Sequence, residues 1–328
     1  MNIYLYQNNH KALKFASSGG AFMKMLETFK SSYDSCYVYG ATWNNLEVIH
    51  SRIKGEDDLI PFSGSKYTRS KMGDGFKNVS DDLNAGNSVM FSGTPCQVKG
   101  LINYLTVKNI NMDKLVTIDI ICHGTPSPKL LKEWIHGLEK KYNDKIILIR
   151  FRDKSIGWKG YPTSVEFSSG KKLSNTYETQ EFMRLFFSNL ILGESCYECH
   201  FSNMNRPSDI TIGDFWGAEN ILANSQCKKG VSLILTNTEK GENILKLIKS
   251  TVTKEEKLKE IEDDRCLDYQ LNLHCPTKKP ENYSSFWGDY KMNGYDYIIK
   301  KYRISSKYLK MRFWVRQKLI KMGILKQN

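Results

Sequence analysis

The chain has 328 residues, of which 40% are hydrophobic and 12% aromatic, a composition typical of a folded globular protein. The formal net charge is +13, but residues 298–328 contain ten Lys or Arg and no Asp or Glu, so the other 297 residues carry only about +3. This distribution argues against a nucleic-acid-binding body. No stretch of about 18 apolar residues and no signal peptide is recognisable, so we expect a cytoplasmic protein without a transmembrane helix.

The N-terminal part predicts one helix and one hairpin. Residues 12–30 have apolar positions at helical spacing, and Ser17, Ser18, Gly19 and Gly20 lie at or just before the start of that helix. Residues 36–43 alternate as a strand does, and residues 47–53 are predicted to be its hairpin partner. A loop rich in Gly, Ser and Lys follows over residues 62–76.

Two strand–turn–helix units come next, each with one cysteine in its turn. The predicted strand 88–91 leads into SGTPCQVKGL with Cys96, and the predicted strand 115–121 leads into CHGTPSP with Cys122. Helices are predicted over 77–86 and 129–142. Such a repeat indicates a parallel sheet, in which ligands collect at the carboxyl ends of the strands, where both cysteines lie.

The remaining sequence predicts antiparallel strands and further helices. Strands are expected over 145–153, 163–167 and 171–176, a helix over 181–192, strands over 210–212 and 230–236, a helix from 239, and a solvated helix or linker over 254–264. The fold class is therefore mixed α/β (α+β): a parallel-sheet core, an antiparallel strand region and a C-terminal helical segment. We predict an N-terminal part (1–145), a second α/β part (146–297) and a basic amphipathic tail (298–328).

Eight cysteines in a cytosolic chain of this size do not predict a disulfide framework. Cys196 and Cys199 form a C-x-x-C pair, and together with Cys96 and Cys122 they supply four thiolates. Four thiolates can bind a 4Fe-4S cluster or a zinc ion. The alternative is a set of buried cysteines with one chance pair.

Several other residues have both a functional and a structural interpretation. Ser17–Gly20 before a helix can cradle a phosphate, although such stretches are more often simple helix starts. Lys66 and Tyr67 can contact a nucleotide or lie in a solvated loop. His123 is a candidate proton relay, and Asp214 in GDFWG is a candidate cofactor neighbour; the alternatives are a turn histidine and a turn cap.

Seven motifs occur in an order that resembles a known family. They are SSGGAF, GSKYTRS, SGTPCQVKGL, DIICHGTPSP, RDKSIGW, CYEC and NRPSDITIGDFWG, and the resemblance extends from about residue 17 to about residue 302. The sequence resembles the beta subunits of coenzyme F420-reducing hydrogenases and dehydrogenases. The ordered set is specific, whereas each motif alone is not.

The resemblance implies an oxidoreductase that uses FAD and one 4Fe-4S cluster. It assigns Cys96, Cys122, Cys196 and Cys199 to the cluster, and it places Ser17, Ser18, Gly19, Gly20, Lys66 and Tyr67 around the flavin. Typical members begin with a ferredoxin domain carrying two C-x2-C-x2-C-x3-CP runs, and this sequence contains none. We therefore expect a separate ferredoxin-like electron donor.

The leading hypothesis is an enzyme that passes electrons through the cluster and FAD to a small organic substrate, with His123 and Asp214 as catalytic residues. An intermediate of polysaccharide biosynthesis is favoured over coenzyme F420 as the substrate. A non-catalytic scaffold of a glycan-synthesis complex and a structural zinc protein are the alternatives. The basic tail is expected either to contact an anionic membrane surface or a partner, or to be a solvated helix.

Overall fold

The structure, a computed structural model, describes residues 1–8, 15–155, 158, 161–304 and 307–322. The chain folds into two compact units. The first comprises residues 1–66, 70–123 and 199–276, and the second comprises residues 67–69, 124–198 and 277–328. The domain boundaries expected after residues 145 and 297 stay a prediction.

The described residues contain both strands and helices along most of the chain. The strands are β1 (Asn2–Asn8), β2 (Cys36–Asn44), β3 (Glu47–Lys54), β4 (Ser88–Gly93), β5 (Leu115–Ile120), β6 (Ile146–Arg150), β7 (Ser164–Phe167), β8 (Lys172–Ser174), β9 (Ile210–Asp214), β10 (Ser232–Thr236) and β11 (Glu256–Ile261). The helices are α1 (Ala21–Ser32), α2 (Gly75–Asn84), α3 (Pro95–Val107), α4 (Pro128–Tyr142), α5 (Glu181–Phe187), α6 (Asn224–Cys227), α7 (Glu239–Thr251), α8 (Tyr283–Asn293), α9 (Tyr295–Lys301) and α10 (Lys307–Lys321).

The first unit is built on an eight-stranded mixed sheet with the order β11-β1-β10-β9-β5-β4-β2-β3. Its centre is parallel, because β2, β4, β5 and β9 pair in the same direction. The flanking strands β3, β10, β1 and β11 are antiparallel to their neighbours. The predicted parallel core is therefore confirmed, and its four carboxyl ends lie along one edge of the sheet.

Helices cover both faces of this sheet because alternate strand residues point to opposite sides. Along β4, Val89 and Phe91 pack into a cluster with Val98 and Leu101 of α3. Met90, between them, packs instead into a cluster that contains buried residues of α1 and α7. The first five residues of the strand SVMFSG are buried, as a helical cover on both faces requires.

The second unit combines a small antiparallel sheet with helices. Its strands have the order β6-β7-β8, and it also contains α4, α5 and the C-terminal helices α8, α9 and α10. Trp134 of α4 is almost fully buried and donates its indole N–H to the carbonyl of Glu178 at 3.1 Å. The predicted antiparallel region and C-terminal helical segment are thereby confirmed.

Three predicted elements differ from the structure. Residues 254–264, predicted as a solvated helix or linker, contain β11, which pairs with β1 as an edge strand of the large sheet. Its charged side chains suit an edge position, where they discourage pairing with another chain. The helix predicted over 181–192 ends at Phe187, and α1 begins at Ala21; residues 12–14 of the predicted first helix lie outside the described residues.

Candidate functional site

The carboxyl edge of the parallel strands brings together most of the sequence-predicted residues of the first unit. Cys96 follows the end of β4, Cys122 follows the end of β5, and Asp214 is the last residue of β9. Ser232 of β10 pairs with Asp214 on one side and with Tyr6 of β1 on the other. Open α/β sheets bind their ligands at this kind of edge.

The Cys96 turn is held by a capping box at the start of α3. Gln97 accepts a hydrogen bond from the backbone N–H of Thr94 at 3.0 Å, and the backbone N–H of Gln97 in turn faces Thr94. The Thr94 hydroxyl lies 3.1 Å from the Cys96 sulfur. Cys96 is exposed, so its thiol stands at the edge of the sheet on a fixed first helical turn.

A buried histidine supports this turn from behind. Gln97 donates its side-chain amide to the Ser70 hydroxyl at 2.9 Å, and Ser70 lies 3.0 Å from Nδ1 of His50. Nε2 of His50 lies 2.9 Å from the carbonyl of Ser92, so Nε2 carries the proton and Nδ1 accepts from Ser70. Burial lowers the pKa of His50 to about 4, and the hydrogen bond to Ser92 opposes this shift only in part.

The loop after Cys199 is anchored by Arg206. The guanidinium donates to the carbonyl of Phe201 at 2.6 Å and to the carbonyl of Ile120, at the end of β5, at 3.2 Å. It also donates to the Thr211 hydroxyl at 3.2 Å. Since Ile120 lies two residues before Cys122, Arg206 ties the Cys199 loop to the strand end that carries Cys122.

The charge of Arg206 is balanced by Asp119 of β5. The two side chains form an ion pair of 3.0 Å, and each is at most 1% exposed. Burial raises the pKa of Asp119, and the neighbouring Arg206 opposes that shift. A fully buried ion pair that also bonds three loop and strand atoms indicates a rigid support, because removal of either partner leaves a buried charge.

Cys196 belongs to the second unit, where it ends a short 3-10 turn (Glu194–Cys196). The backbone N–H of Thr125 donates to the Cys196 sulfur at 3.5 Å, and the N–H of Gly193 donates to the carbonyl of Thr125 at 3.1 Å. Arg69 reaches the Thr125 hydroxyl at 3.4 Å. The last residue of CHGT is therefore bonded both to Gly193, which precedes CYEC, and to Cys196, the first residue of CYEC.

Thiolates of four cysteines are suitable ligands for an iron–sulfur cluster, although the described residues are not arranged as a complete metal site. None of the four forms a disulfide; Cys96 is exposed, and Cys122, Cys196 and Cys199 are half-buried. Among the described residues, no three His, Cys, Asp or Glu side chains are grouped so that they could hold a metal ion. Thiolate sites commonly assemble only around their metal. The assignment of the four cysteines to a cluster therefore stays a proposal.

Ser17–Gly20 lies at the same sheet edge, just before α1. The N–H of Asn8 donates to the carbonyl of Gly19 at 2.9 Å. A Cβ on Gly19 would lie 2.2 Å from the carbonyl oxygen of Tyr6, so close packing on β1 requires glycine here. The hydroxyl of Ser18 donates to the carbonyl of Val231 at 2.7 Å, and that of Ser17 accepts from the N–H of Ser65 at 2.6 Å.

Lys66 and Tyr67 have different surroundings. The Lys66 ammonium donates to the carbonyls of residues 61, 62 and 63 at 2.8–3.1 Å, and burial lowers its pKa to about 7. Tyr67 belongs to the second unit, where its ring contacts Phe151 and Phe186 with centroids 5.4 and 5.2 Å apart. The structure therefore does not show these two residues as one feature, and their assignment to the flavin stays a prediction.

The two predicted catalytic residues are half-buried in the first unit. His123 directly follows Cys122, and Asp214 ends β9. Beyond Asp214, the side chain of Phe215 is fully buried, and a Cβ on Gly217 would lie 2.4 Å from the ring of Tyr269. The GDFWG motif is thus partly explained by packing, whereas Asp214 stands at the edge beside the cysteine turns.

Comparisons with known proteins identify the family. Residues 86–261, more than half of the chain, match the family model that describes the C-terminal region of the coenzyme F420 hydrogenase/dehydrogenase beta subunit. The chain belongs to this family. The predicted resemblance is thereby confirmed, and this F420 hydrogenase/dehydrogenase beta-subunit family is one of redox proteins.

A solved structure supports the same fold for this family member. It is a chain of the F420-reducing [NiFe] hydrogenase complex from Methanosarcina barkeri, with 16% sequence identity and a TM-score of 0.54. The match covers 89% of this chain and 93% of the other, and it shows that the fold is shared. A search of curated proteins found no match. None of the described helices is both long and apolar enough to cross a bilayer.

Sequence reasoning missed the residues that hold the cysteine turns in place. Arg206 lies inside the motif NRPSDITIGDFWG, so the resemblance contained a signal for it, but its pairing with Asp119 depends on the tertiary fold. His50 lies in a predicted strand, and its sequence neighbours give no sign that it is buried behind the Cys96 turn. Both residues act through other residues, and we treat them as positioning residues.

Proposed function

We propose that this family member is an FAD- and 4Fe-4S-dependent oxidoreductase. The cluster ligands in the proposal are Cys96, Cys122, Cys196 and Cys199. The observation that carries it is the anchoring of the cysteine turns at the carboxyl edge of the sheet, by Arg206 on one side and by Gln97 on the other. When bound, a cluster supplies single electrons, and a flavin converts them into two-electron chemistry.

The chain itself limits how far the two members of the C-x-x-C pair can separate. Cys196 and Cys199 are three residues apart, so their Cα atoms are at most about 11 Å from each other. Cys199 is in turn tied to the end of β5 through Phe201, Arg206 and Ile120. These links support a common ligand set for Cys122, which follows β5, and Cys199.

The proposed flavin site is the start of α1. Its N-terminus offers backbone N–H groups and the positive end of a helix dipole, both of which favour a phosphate group. Gly20 has a φ of 93°, a conformation that glycine adopts without strain, and it brings the chain into the helix beside Ser17, Ser18 and Gly19. Lys66 follows Ser65, which donates to Ser17, and is the basic residue that we propose beside this segment.

His123 and Asp214 are the proposed catalytic residues. Imidazole and carboxylate groups can both donate and accept protons, so the pair is suited to proton transfer to or from a reduced substrate. Both are placed in the same unit as Cys96 and as the start of α1.

Electrons are proposed to come from a separate ferredoxin-like protein. The chain carries a net charge of +13, and ferredoxins are usually acidic, so electrostatic attraction would speed their encounter. The proposed acceptor is a small organic molecule, with an intermediate of polysaccharide biosynthesis favoured over coenzyme F420.

Replacement of Cys199 by Ala tests the ligand set. We expect iron content, measured on protein purified without oxygen, to fall strongly in Cys199→Ala because three thiolates hold a 4Fe-4S cluster poorly. Cys275→Ala is the matched control, since Cys275 is an exposed free thiol that is not assigned to the cluster, and its iron content should equal that of the wild type. Equal iron content in both variants and the wild type would show that the ligand set is wrong.

A second candidate is a non-catalytic scaffold or assembly protein of a glycan-synthesis complex that keeps the family fold. The observation in its favour is that the described residues contain no group of three potential metal ligands. This candidate predicts a protein without flavin and without iron. Four thiolates with zinc and no flavin would instead identify a structural zinc protein.

A further inference from the structure

The C-terminal helix α10 is attached to the second unit through one side. The ring of Phe313 contacts the ring of Tyr177 with centroids 6.1 Å apart in an edge-on arrangement. The Lys310 ammonium lies 3.8 Å from a carboxylate oxygen of Glu178. These contacts show which side of α10 faces its own unit.

The other side of α10 exposes large apolar side chains. Tyr308, Met311 and Val315 lie at i, i+3 and i+7, which places them along one stripe of the helix, and Met322, at i+14, continues this stripe directly after the last helical residue. Trp314 lies next to this stripe. These five residues, which we call the apolar stripe, are between 42% and 68% exposed. A folded protein rarely exposes several large apolar side chains in one row to water, and such a row usually marks a surface that contacts a protein or a membrane.

The charge that α10 itself carries is entirely positive. Residues 307–321 contain six Lys or Arg and no Asp or Glu. Arg316 and Lys318 are exposed, and the Lys318 ammonium lies 3.9 Å from the centroid of the Trp314 ring. An occupant of this surface must therefore accept apolar side chains and carry negative charge.

We propose that the apolar stripe of α10 inserts into the surface of a bilayer that contains anionic phospholipids. A helix of 15 residues is about 22 Å long and lies along the interface, with its apolar side chains at the boundary between headgroups and acyl chains. Trp and Tyr favour this boundary, and the long stems of Lys and Arg reach up to the phosphates. The proposal is independent of the proposed redox function.

Lipid fits the stripe better than an acidic protein does. The row runs from Tyr308 to Met322 and consists of two aromatic side chains, two methionines and one valine. A fluid bilayer accommodates such a row without a complementary groove, whereas a protein partner would need one. An acidic protein remains an outcome that the experiment distinguishes.

Flotation of the full-length protein with lipid vesicles tests the proposal. We expect binding to vesicles of equimolar phosphatidylcholine and phosphatidylglycerol, weak binding to phosphatidylcholine alone, and weaker binding as salt is raised. The variant Arg316→Gln with Lys318→Gln and the variant Met311→Ser with Trp314→Ser should each bind the mixed vesicles roughly tenfold or more weakly.

Matched controls come from exposed residues elsewhere in the chain. Met292 of α8 is 84% exposed, and Lys108 is exposed at the end of α3, so Met292→Ser and Lys108→Gln should bind as the wild type does. Unchanged vesicle binding in both α10 variants, or equal binding to the neutral and the anionic vesicles, would overturn the proposal. The proposal would also be overturned if the α10 variants still bound vesicles but no longer bound an acidic ferredoxin.

A measurement on the wild-type protein tests the proposal even if the variants fail to fold. Brominated phosphatidylcholine, mixed with phosphatidylglycerol, quenches only tryptophans that reach the bilayer. We expect quenching of the wild type and a loss of that quenching in Trp314→Phe, which keeps an aromatic ring at the position. Absence of quenching in the wild type would contradict insertion of the stripe.

Discussion

His50 shows how a single buried side chain can support a functional turn from a distance. Its ring is stacked on Phe91 with centroids 4.8 Å apart, and it is linked through Ser70 and Gln97 to the turn that carries Cys96. An imidazolium ion in this place would have to be desolvated and would lose its acceptor at Nδ1. The network therefore requires a neutral histidine.

The titration of His50 predicts a specific loss of stability in acid. The unfolded imidazole has a pKa of 6.5 and the folded one a pKa of about 4, so the unfolded chain binds more protons between these values. Stability should be complete above pH 6.5 and should fall by about 3 kcal/mol as the pH drops towards 4.

Urea unfolding of the wild type and of His50→Gln between pH 4 and pH 7 measures this contribution. Glutamine keeps a donor for the Ser92 carbonyl and does not titrate, so the stability of the variant should depend less steeply on pH in this window. Parallel curves for the two proteins would show that His50 is not held neutral by the fold.

Arg206 also supports a cysteine-bearing loop, but it does so with a charged side chain. Its ion pair with Asp119 is fully enclosed, and its other hydrogen bonds fix the loop that begins at Cys199. The sequence shows Arg206 only as one residue of the motif NRPSDITIGDFWG. Its importance depends on residues 86 positions away in the chain, such as Ile120, and that contact exists only in the folded sheet.

At the scale of elements, the packing of α7 on the sheet allows little extra volume. A Cβ on Gly241, in the first turn of α7, would lie 2.2 Å from the carbonyl oxygen of Asp209. Asp209 is fixed there because its carboxylate accepts from the backbone N–H of Thr117 at 2.8 Å and from the hydroxyl of Thr238 at 2.6 Å. The backbone at this point cannot move without breaking these bonds.

We therefore expect Gly241→Ala to destabilise the protein by about 1–3 kcal/mol, even though alanine favours helices. Gly137→Ala in α4 is the matched control, because nothing lies within 4 Å of a Cβ at this exposed helical position. It should stabilise by roughly 0.5–1 kcal/mol. Thermal unfolding of both variants measures the contrast, and equal changes in Tm would contradict the close contact at Asp209.

The sequence predicted the elements whose signals are local. The buried run before SGTPC and the turn residues of CHGTPSP are enough to predict β4-α3 and β5-α4, and the hairpin of β2 and β3 follows from alternation. It did not predict β11, because the charges of residues 256–261 are equally consistent with a solvated helix. The strand forms because β1 offers an unpaired edge, which is information from elsewhere in the chain.

At the scale of the whole molecule, the order in which the chain forms the two units explains why the spacing of the cysteines in the sequence predicts the candidate site only in part. The first unit is assembled from three separate segments, and the second interrupts it between β5 and β9. Cys122 and Cys199 are therefore separated by 76 intervening residues, yet their loops meet at one sheet edge through Arg206. Motif spacing alone leaves open whether such cysteines share a ligand.

The family resemblance assigns the four cysteines to one site, which their spacing in the sequence alone does not. The order of the seven motifs identified the family, and the match of residues 86–261 confirmed it. The assignment of FAD, of the cluster and of the substrate stays a proposal, because the shared fold specifies where ligands collect and not which ligand is bound.

The absorption spectrum of the protein purified without oxygen is the most direct test of the proposed cofactors. We predict flavin bands together with a broad iron–sulfur shoulder, both bleached by a reductant, in a sample that contains iron and flavin. A colourless protein that contains zinc, or one that contains neither metal nor flavin, would contradict the proposed oxidoreductase and would favour the structural zinc protein or the scaffold respectively.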